Sequence, residues 1–222
     1  MRRDGSPGAA ALEAVCPVSR ETYDRLAALV GLVVKWQKAE NLVSPGTLDE
    51  IWSRHVADSA QLVRLFPQAR TWLDLGSGGG FPGLVVAILI SADGADGKVH
   101  LVESNVRKCA FLRTAARATG APAEVHQGRI ETVLASWAEP TDVITARALA
   151  PLDQLLGFTA HLIAPDRPAA FLKGVDYRAE LDKASQTWAL DLVIHDSLIG
   201  EGSVILEIHR AVRKAGARTS RP

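Results

Sequence analysis

From about residue 70 the chain alternates short apolar runs with longer amphipathic stretches. The apolar, β-branched runs predict strands at 71–75, 99–103, 123–126, 143–146, 169–172, 190–195 and 203–209. Helical spacing predicts helices at 82–89, 105–119, 131–137, 152–162 and 177–188. This alternation predicts an α/β fold with a doubly wound, mainly parallel sheet of seven strands. The last two runs are joined by a loop too short for a crossover helix, so they are expected to pair as an antiparallel hairpin at the sheet edge.

Upstream, the pattern is helical. Residues 1–18 are rich in Gly, Ser, Pro and Ala with little periodicity and are expected to stay flexible. Ser19 can cap a helix in which Tyr23, Leu26, Ala27, Val30, Val33 and Val34 recur at i, i+3, i+4 spacing. The run 41–46 is a break, and a second helical stretch at 48–65 carries Ile51, Val56, Leu62 and Val63. The expected organisation is therefore a helical cap at 19–68, an α/β domain at 69–210 and a basic tail at 211–222.

Where the first strand ends, Asp74 and Leu75 run into Gly76, Ser77, Gly78, Gly79, Gly80, Phe81, Pro82 and Gly83. Such a strand–glycine turn–helix unit lets a cofactor approach the main chain at the carboxyl edge of an open sheet. From Gly78 the turn spells G-x-G-x-x-G, a dinucleotide fingerprint. From Asp74 it spells D-x-G-x-G-x-G, which is similar to motif I of the S-adenosylmethionine-dependent methyltransferases. A carboxylate at Asp74 would repel a diphosphate but suit a phosphate-free sulfonium cofactor, so the second reading is preferred. Glu103, closing the next strand 23 positions after Gly80, is expected to take ribose hydroxyls.

Composition narrows the field. The 222 residues carry 25 basic and 25 acidic side chains, so global charge makes no case for nucleic acid. Local charge does: Arg107, Lys108, Arg113 and Arg117 crowd one helix, and Arg210, Arg213, Lys214, Arg218 and Arg221 follow the last strand. These are candidate phosphate contacts. Cys16 and Cys109 show no metal spacing and form no disulfide framework. No run is long enough to span a membrane and no secretory signal is visible, so a cytoplasmic protein is expected. His100, His126, His161 and His195 show no ligand grouping and are expected to be structural; no metal is expected.

Several ordered segments carry a more specific likeness. They are Asn41-Leu42-Val43-Ser44, Arg54-His55-Val56-Ala57-Asp58-Ser59, the run from Leu73 to Gly83, Arg107-Lys108 with Phe111-Leu112, Arg129-Ile130-Glu131, Thr145-Ala146-Arg147-Ala148 and Leu172-Lys173-Gly174. In this order they are similar to the 16S ribosomal RNA guanine-N7 methyltransferases, the glucose-inhibited division protein B family. The resemblance implies a class I, Rossmann-like methyltransferase fold and S-adenosyl-L-methionine as cofactor. It also implies 16S ribosomal RNA, or the small ribosomal subunit, as partner. It places Gly76 and Phe81 in the cofactor pocket, Ile130 and Glu131 beside the adenine, and Arg147 at the cofactor or target. Asp74, Ser77, Gly78, Gly80 and Glu103 complete the expected cofactor set.

Guanine N7 carries a free lone pair, so no general base is expected and catalysis should rest on positioning. Arg147 and Lys173, at the ends of successive strands, and Asn41 and His55, in the cap, are the candidates for orienting the substrate. His55 and Asp58, three apart, can share a helix face, either as part of the substrate wall or to hold the cap on the sheet. A monomer is expected. A different methyl acceptor, a non-catalytic nucleotide-binding module and, least of all, a dehydrogenase are the alternatives.

Overall fold

A computed structural model describes residues 7–94 and 96–215. Its first helix, α1 (Pro7–Val15), corrects the expectation of a flexible start. An alanine-rich segment with proline in its first turn favours a helix. Leu12 and Val15, one turn apart, anchor it at 0% and 3% exposure. The next helix, α2 (Arg20–Gln37), begins where Ser19 accepts the Thr22 N–H at 3.1 Å, and buries Leu26, Leu29, Val30 and Val33 as its periodicity requires. A short 3-10 turn follows at Pro45–Thr47. The second cap helix then differs from expectation. It opens with a π-helical turn, Trp52–Ala57, before continuing as α3 (Asp58–Leu65). Such wide turns recur at functional sites, and this one carries His55.

The α/β part follows as β1 (Thr71–Leu75), α4 (Gly83–Ile90), β2 (Lys98–Glu103), α5 (Val106–Thr119), β3 (Ala123–Gln127), α6 (Ile130–Leu134), β4 (Val143–Arg147), α7 (Leu152–Thr159), β5 (Ala169–Lys173), α8 (Tyr177–Thr187), β6 (Trp188–Asp196) and β7 (Val204–Arg213). The strand order is β3-β2-β1-β4-β5-β7-β6, with β7 antiparallel to both its neighbours. The expected edge hairpin is present, and its returning strand β7 lies between β5 and β6. The chain leaves β1 toward one edge and resumes at β4 toward the other, so the crevice at the carboxyl ends of β1 and β4 is the topological switch point.

Strand alternation divides the core. Leu73 and Leu75 of β1 face the α6–α8 layer, while Trp72 faces the layer containing α4, α5 and the cap. Every residue of α4 is buried, which explains a helix that is apolar on all sides. The cap helices share one hydrophobic cluster with α4 and α5, so cap and sheet are a single packed body.

The basic tail begins later than expected. β7 runs on to Arg213, whose guanidinium lies 5.2 Å from the Trp188 ring centre, and Lys214 Nζ donates to Ser185 O at 2.6 Å. Arg218 and Arg221 lie outside the described residues. Among the described residues, no helix is long and apolar enough to cross a membrane.

Candidate active site

Three adjoining cavities open at the switch point, and Ala148, immediately after β4, borders all three. The first, of about 380 Å³, is lined by Gly76, Gly78, Glu103, Ile130 and Glu131. The second, of about 450 Å³, shares Gly76 and Gly78 and adds Asn41, His55, Phe81 and Arg147. The third, of about 560 Å³, lies between Arg54, His55, Asp58, Arg147, Lys173 and Glu180.

The glycine turn shapes the first cavity. Gly76 has φ +66, and a Cβ there would meet Leu149 Cδ1 at 2.5 Å. The positive φ favours glycine, and any Cβ would in addition push the Leu149 side chain aside. Glu103 Oε2 accepts the Gly78 N–H at 3.0 Å while Oε1 accepts the Asn105 N–H at 2.8 Å. An ionised carboxylate has about four acceptor positions, so two remain for ribose hydroxyls. With Ile130 and Glu131 also in its lining, this cavity fits an adenosine.

Asp74 does not stand in the cleft, and this corrects the sequence-based expectation. It is fully buried and lines none of the three cavities. The period of two in β1 turns it toward α4, where Oδ1 accepts from Thr145 Oγ1 at 2.8 Å and Oδ2 lies against Gly83 without a well-formed hydrogen bond. A Cβ on Gly83 would come within 2.6 Å of that oxygen, so this glycine lets helix and strand close together. Burial raises Asp74 to about 6, opposed by its hydrogen bonds. It lies behind the turn, between Thr145 and Gly83. Ser77 likewise spends its hydroxyl on Asp74 O at 3.0 Å, although it borders the second cavity, and Gly80 lines none of the three.

Arg147 joins the sheet to the cap. Its Nη1 donates to Arg54 O at 2.7 Å and to Asp58 Oδ2 at 3.2 Å, and its Nη2 packs against His55 Nδ1. The guanidinium also lies 5.9 Å from the Phe81 ring centre. His55 Nε2 meets Thr47 Oγ1 at 2.8 Å, and that hydroxyl donates to Ser44 O at 2.9 Å. With Arg147 as donor, His55 accepts at Nδ1 and carries its proton on Nε2. Burial, then Arg147 and Arg54, lower His55 to about 3, so it is neutral at physiological pH. Burial also raises Asp58 and outweighs the opposing Arg147. The two readings of His55 and Asp58 thus merge. They make no direct bond, but both hold Arg147, and both line the third cavity.

Lys173 Nζ donates to Glu180 Oε2 at 2.7 Å and to Ala150 O at 2.8 Å, and Glu180 Oε2 also accepts the Leu152 N–H at 2.7 Å. Asn41 is exposed at the mouth of the second cavity. Of the basic α5 residues, Lys108 borders the first and second cavities, while Arg107 pairs with Glu40 at 3.3 Å. Two features were missed from sequence. Glu180 carries no motif. Ala148 adopts φ +49, a conformation that alanine rarely takes and that its identity does not signal. One histidine expectation also fails: His100 and His126 face each other across β2 and β3 at 2.9 Å.

The sheet order, reversed β7 and glycine-edged crevice define a class I methyltransferase fold. Solved structures agree on that fold. The O-methyltransferase TomG of Streptomyces achromogenes, in complex with SAM, superposes with a TM-score of 0.59 over 92% of this chain and 96% of its own, at 14% identity. The O-methyltransferase from Bacillus cereus, in complex with SAH, gives 0.58 over 92% and 98%, also at 14% identity. Sequence relationships are more specific. A family model described as rRNA small subunit methyltransferase G matches residues 22–205. Proteins named ribosomal RNA small subunit methyltransferase G are similar over most of the chain. That of Rhodopseudomonas palustris (strain BisB18) is 51% identical over 90% of this chain and 85% of its own. That of Parvibaculum lavamentivorans is 54% identical over 86% and 85%. The chain belongs to the rRNA small subunit methyltransferase G family.

Proposed function

We propose that this protein transfers the methyl group of S-adenosyl-L-methionine to N7 of a guanine in small-subunit ribosomal RNA. The observation that carries this reading is the meeting of an adenosine-sized cavity with a second, arginine-walled cavity at Ala148. When bound, S-adenosyl-L-methionine supplies an electrophilic methyl on a sulfonium sulfur, open to in-line displacement by a base nitrogen.

The chain's residues suit a reaction that moves no proton. His55 is neutral with both ring nitrogens engaged, Asp58 is paired with Arg147, and Glu180 is paired with Lys173. None is a free base, and N7 needs none, because its lone pair is already available. The residues instead hold and orient. Glu103 grips the ribose through its spare acceptor positions. Gly76 and Gly78 bring the main chain against the cofactor, with Ile130 and Glu131 beside the adenine. Arg147, already fixed by the cap, presents a rigid cationic wall to a base in the adjoining cavity, and Asn41 stands at its entrance. An arginine donor placed on N7 itself would block attack, so any base contact by Arg147 falls on O6 or on phosphate.

Such a base must leave its stack to enter the crevice, which favours an unpaired loop of the RNA. Lys108, beside the two cofactor-side cavities, is the candidate phosphate contact, whereas Lys173, only 8% exposed and held by Glu180 and Ala150 O, stiffens the wall of the third cavity. The protein works as a monomer in the cytoplasm, where its substrate resides, and the transfer needs no metal. Incubation of the chelator-stripped protein with tritiated cofactor and small ribosomal subunits in magnesium buffer, without added transition metal, tests this directly. Label is expected in the small-subunit RNA, as N7-methylguanine.

A further inference from the structure

The parallel register of β2 and β3 sets His100 opposite Glu124 and Val102 opposite His126, so His100, Glu124 and His126 share one face of the sheet. His100 Nδ1 and His126 Nε2 are 2.9 Å apart, and His126 Nε2 lies 3.9 Å from Glu124 Oε1. The three donor atoms all fall within 4.8 Å of one another. Trp137 closes one side, with its ring centre 5.1 Å from that of His100 and 5.2 Å from that of His126. His100 is 1% exposed.

We propose that His100 Nδ1, His126 Nε2 and Glu124 Oε1 form a binding site for a zinc-class divalent ion that braces edge strand β3 against β2. The site is separate from the crevice and independent of the methyl-transfer reading. Two imidazoles and one carboxylate are the donor set that zinc takes when it keeps a fourth position for water. Tetrahedral ligands at zinc–nitrogen bond lengths stand about 3.3 Å apart, so to admit the ion the two rings part slightly and the proton of the hydrogen bond between them moves to the far nitrogen of its ring or to water. Strand pairing supplies the preorganisation. Lys98 is the built-in competitor: its Nζ holds Glu124 Oε2 at 2.6 Å and leaves Oε1 free, while its charge opposes a second cation.

The test is calorimetric titration of Zn²⁺ into the untagged, chelator-stripped full chain. One equivalent is expected to bind and to raise the melting temperature. His126→Gln keeps a hydrogen-bonding partner for His100 and sits on an edge strand. It should weaken binding by at least the roughly tenfold that loss of an outer-shell partner costs, and abolish the thermal shift, while circular dichroism and cofactor affinity stay as in the wild type. Lys98→Gln should tighten binding. Glu207 also touches two histidines, His195 at 2.6 Å and His209 at 3.1 Å. His209→Gln should therefore leave the titration unchanged. The proposal is overturned if the wild type takes up no stoichiometric zinc, if His126→Gln binds as tightly, or if His209→Gln is the variant that loses the ion.

Discussion

Arg147 Nη1 donates to Asp58 Oδ2 at 3.2 Å, and this ion pair fastens the end of β4 to the first turn of α3. Both side chains are mostly buried, at 16% and 19% exposure. Burial dominates both partners, raising Asp58 and lowering Arg147 despite their mutual attraction. The pair therefore adds little net stability, but breaking it strands a buried charge. Its value is geometric: it holds the Arg147 guanidinium in one place between β4 and the cap.

Asp58→Ala should consequently cost about 3–5 kcal/mol of folding stability, the range for removing one partner of a buried pair. Urea denaturation checks this. A loss under about 1 kcal/mol, the scale of an exposed pair, would place Arg147 in solvent.

Glu103→Ala should weaken S-adenosyl-L-methionine binding by roughly 1–3 kcal/mol, the range for charge-assisted hydrogen bonds together with the unmade bond of Gly78. Asp74→Asn, which keeps the shape of the supporting residue, should leave the dissociation constant nearly unchanged. Calorimetry that found the reverse order would return Asp74 to the cleft and remove Glu103 from it.

Asp74 also sets a pH dependence. Its folded value of about 6 lies above the ordinary 3.8. The folded state therefore binds this proton more tightly than the unfolded state, and stability linked to it is full below pH 3.8 and lost as pH rises toward 6. The stability of the wild type minus that of Asp74→Asn should fall by about 2 kcal/mol between those limits, and by about 3 kcal/mol over the whole range from well below the first to well above the second, at 1.36 kcal/mol per unit. Denaturant melts of both proteins across this range measure the slope. A difference that stays flat, or rises with pH, contradicts the assignment.

His55 behaves in the opposite sense. Its folded value of about 3 lies below the ordinary 6.5, so it contributes stability present above pH 6.5 and lost as pH falls toward 3. Nitrogen-detected NMR should show a neutral ring with its proton on Nε2 throughout physiological pH. Titration of this histidine near 6.5 would mean that Arg147 does not sit against Nδ1.

The fold was legible because each strand and helix announces its own period, and because the loop before 203–209 is too short for anything but a hairpin. Glu103 was legible at the first cavity for a related reason: it closes β2, and strand ends meet at the crevice, whereas Ile130 and Glu131, which open α6, were reached only through the family resemblance. Helix α1 was hidden by its alanines, which give a weak amphipathic signal even though Leu12 and Val15 are buried. Asp74 was misplaced because the glycine turn drew attention to sequence adjacency, whereas the period of two in β1 sends it to the α4 face. The network around Arg147 links residues 89 positions apart along the chain, which spacing cannot reveal. The His100–His126 pair depends on the register of two strands, and the backbone of Ala148 leaves no mark on its residue type.

The most direct measurement is methyl transfer itself, mapped to the atom. Small ribosomal subunits from cells without this activity, incubated with the purified protein and tritiated S-adenosyl-L-methionine, should gain one N7-methylguanine per small-subunit RNA, and Arg147→Ala should abolish it. Transfer to another acceptor, or no transfer by a folded protein that binds the cofactor, would contradict the proposed function.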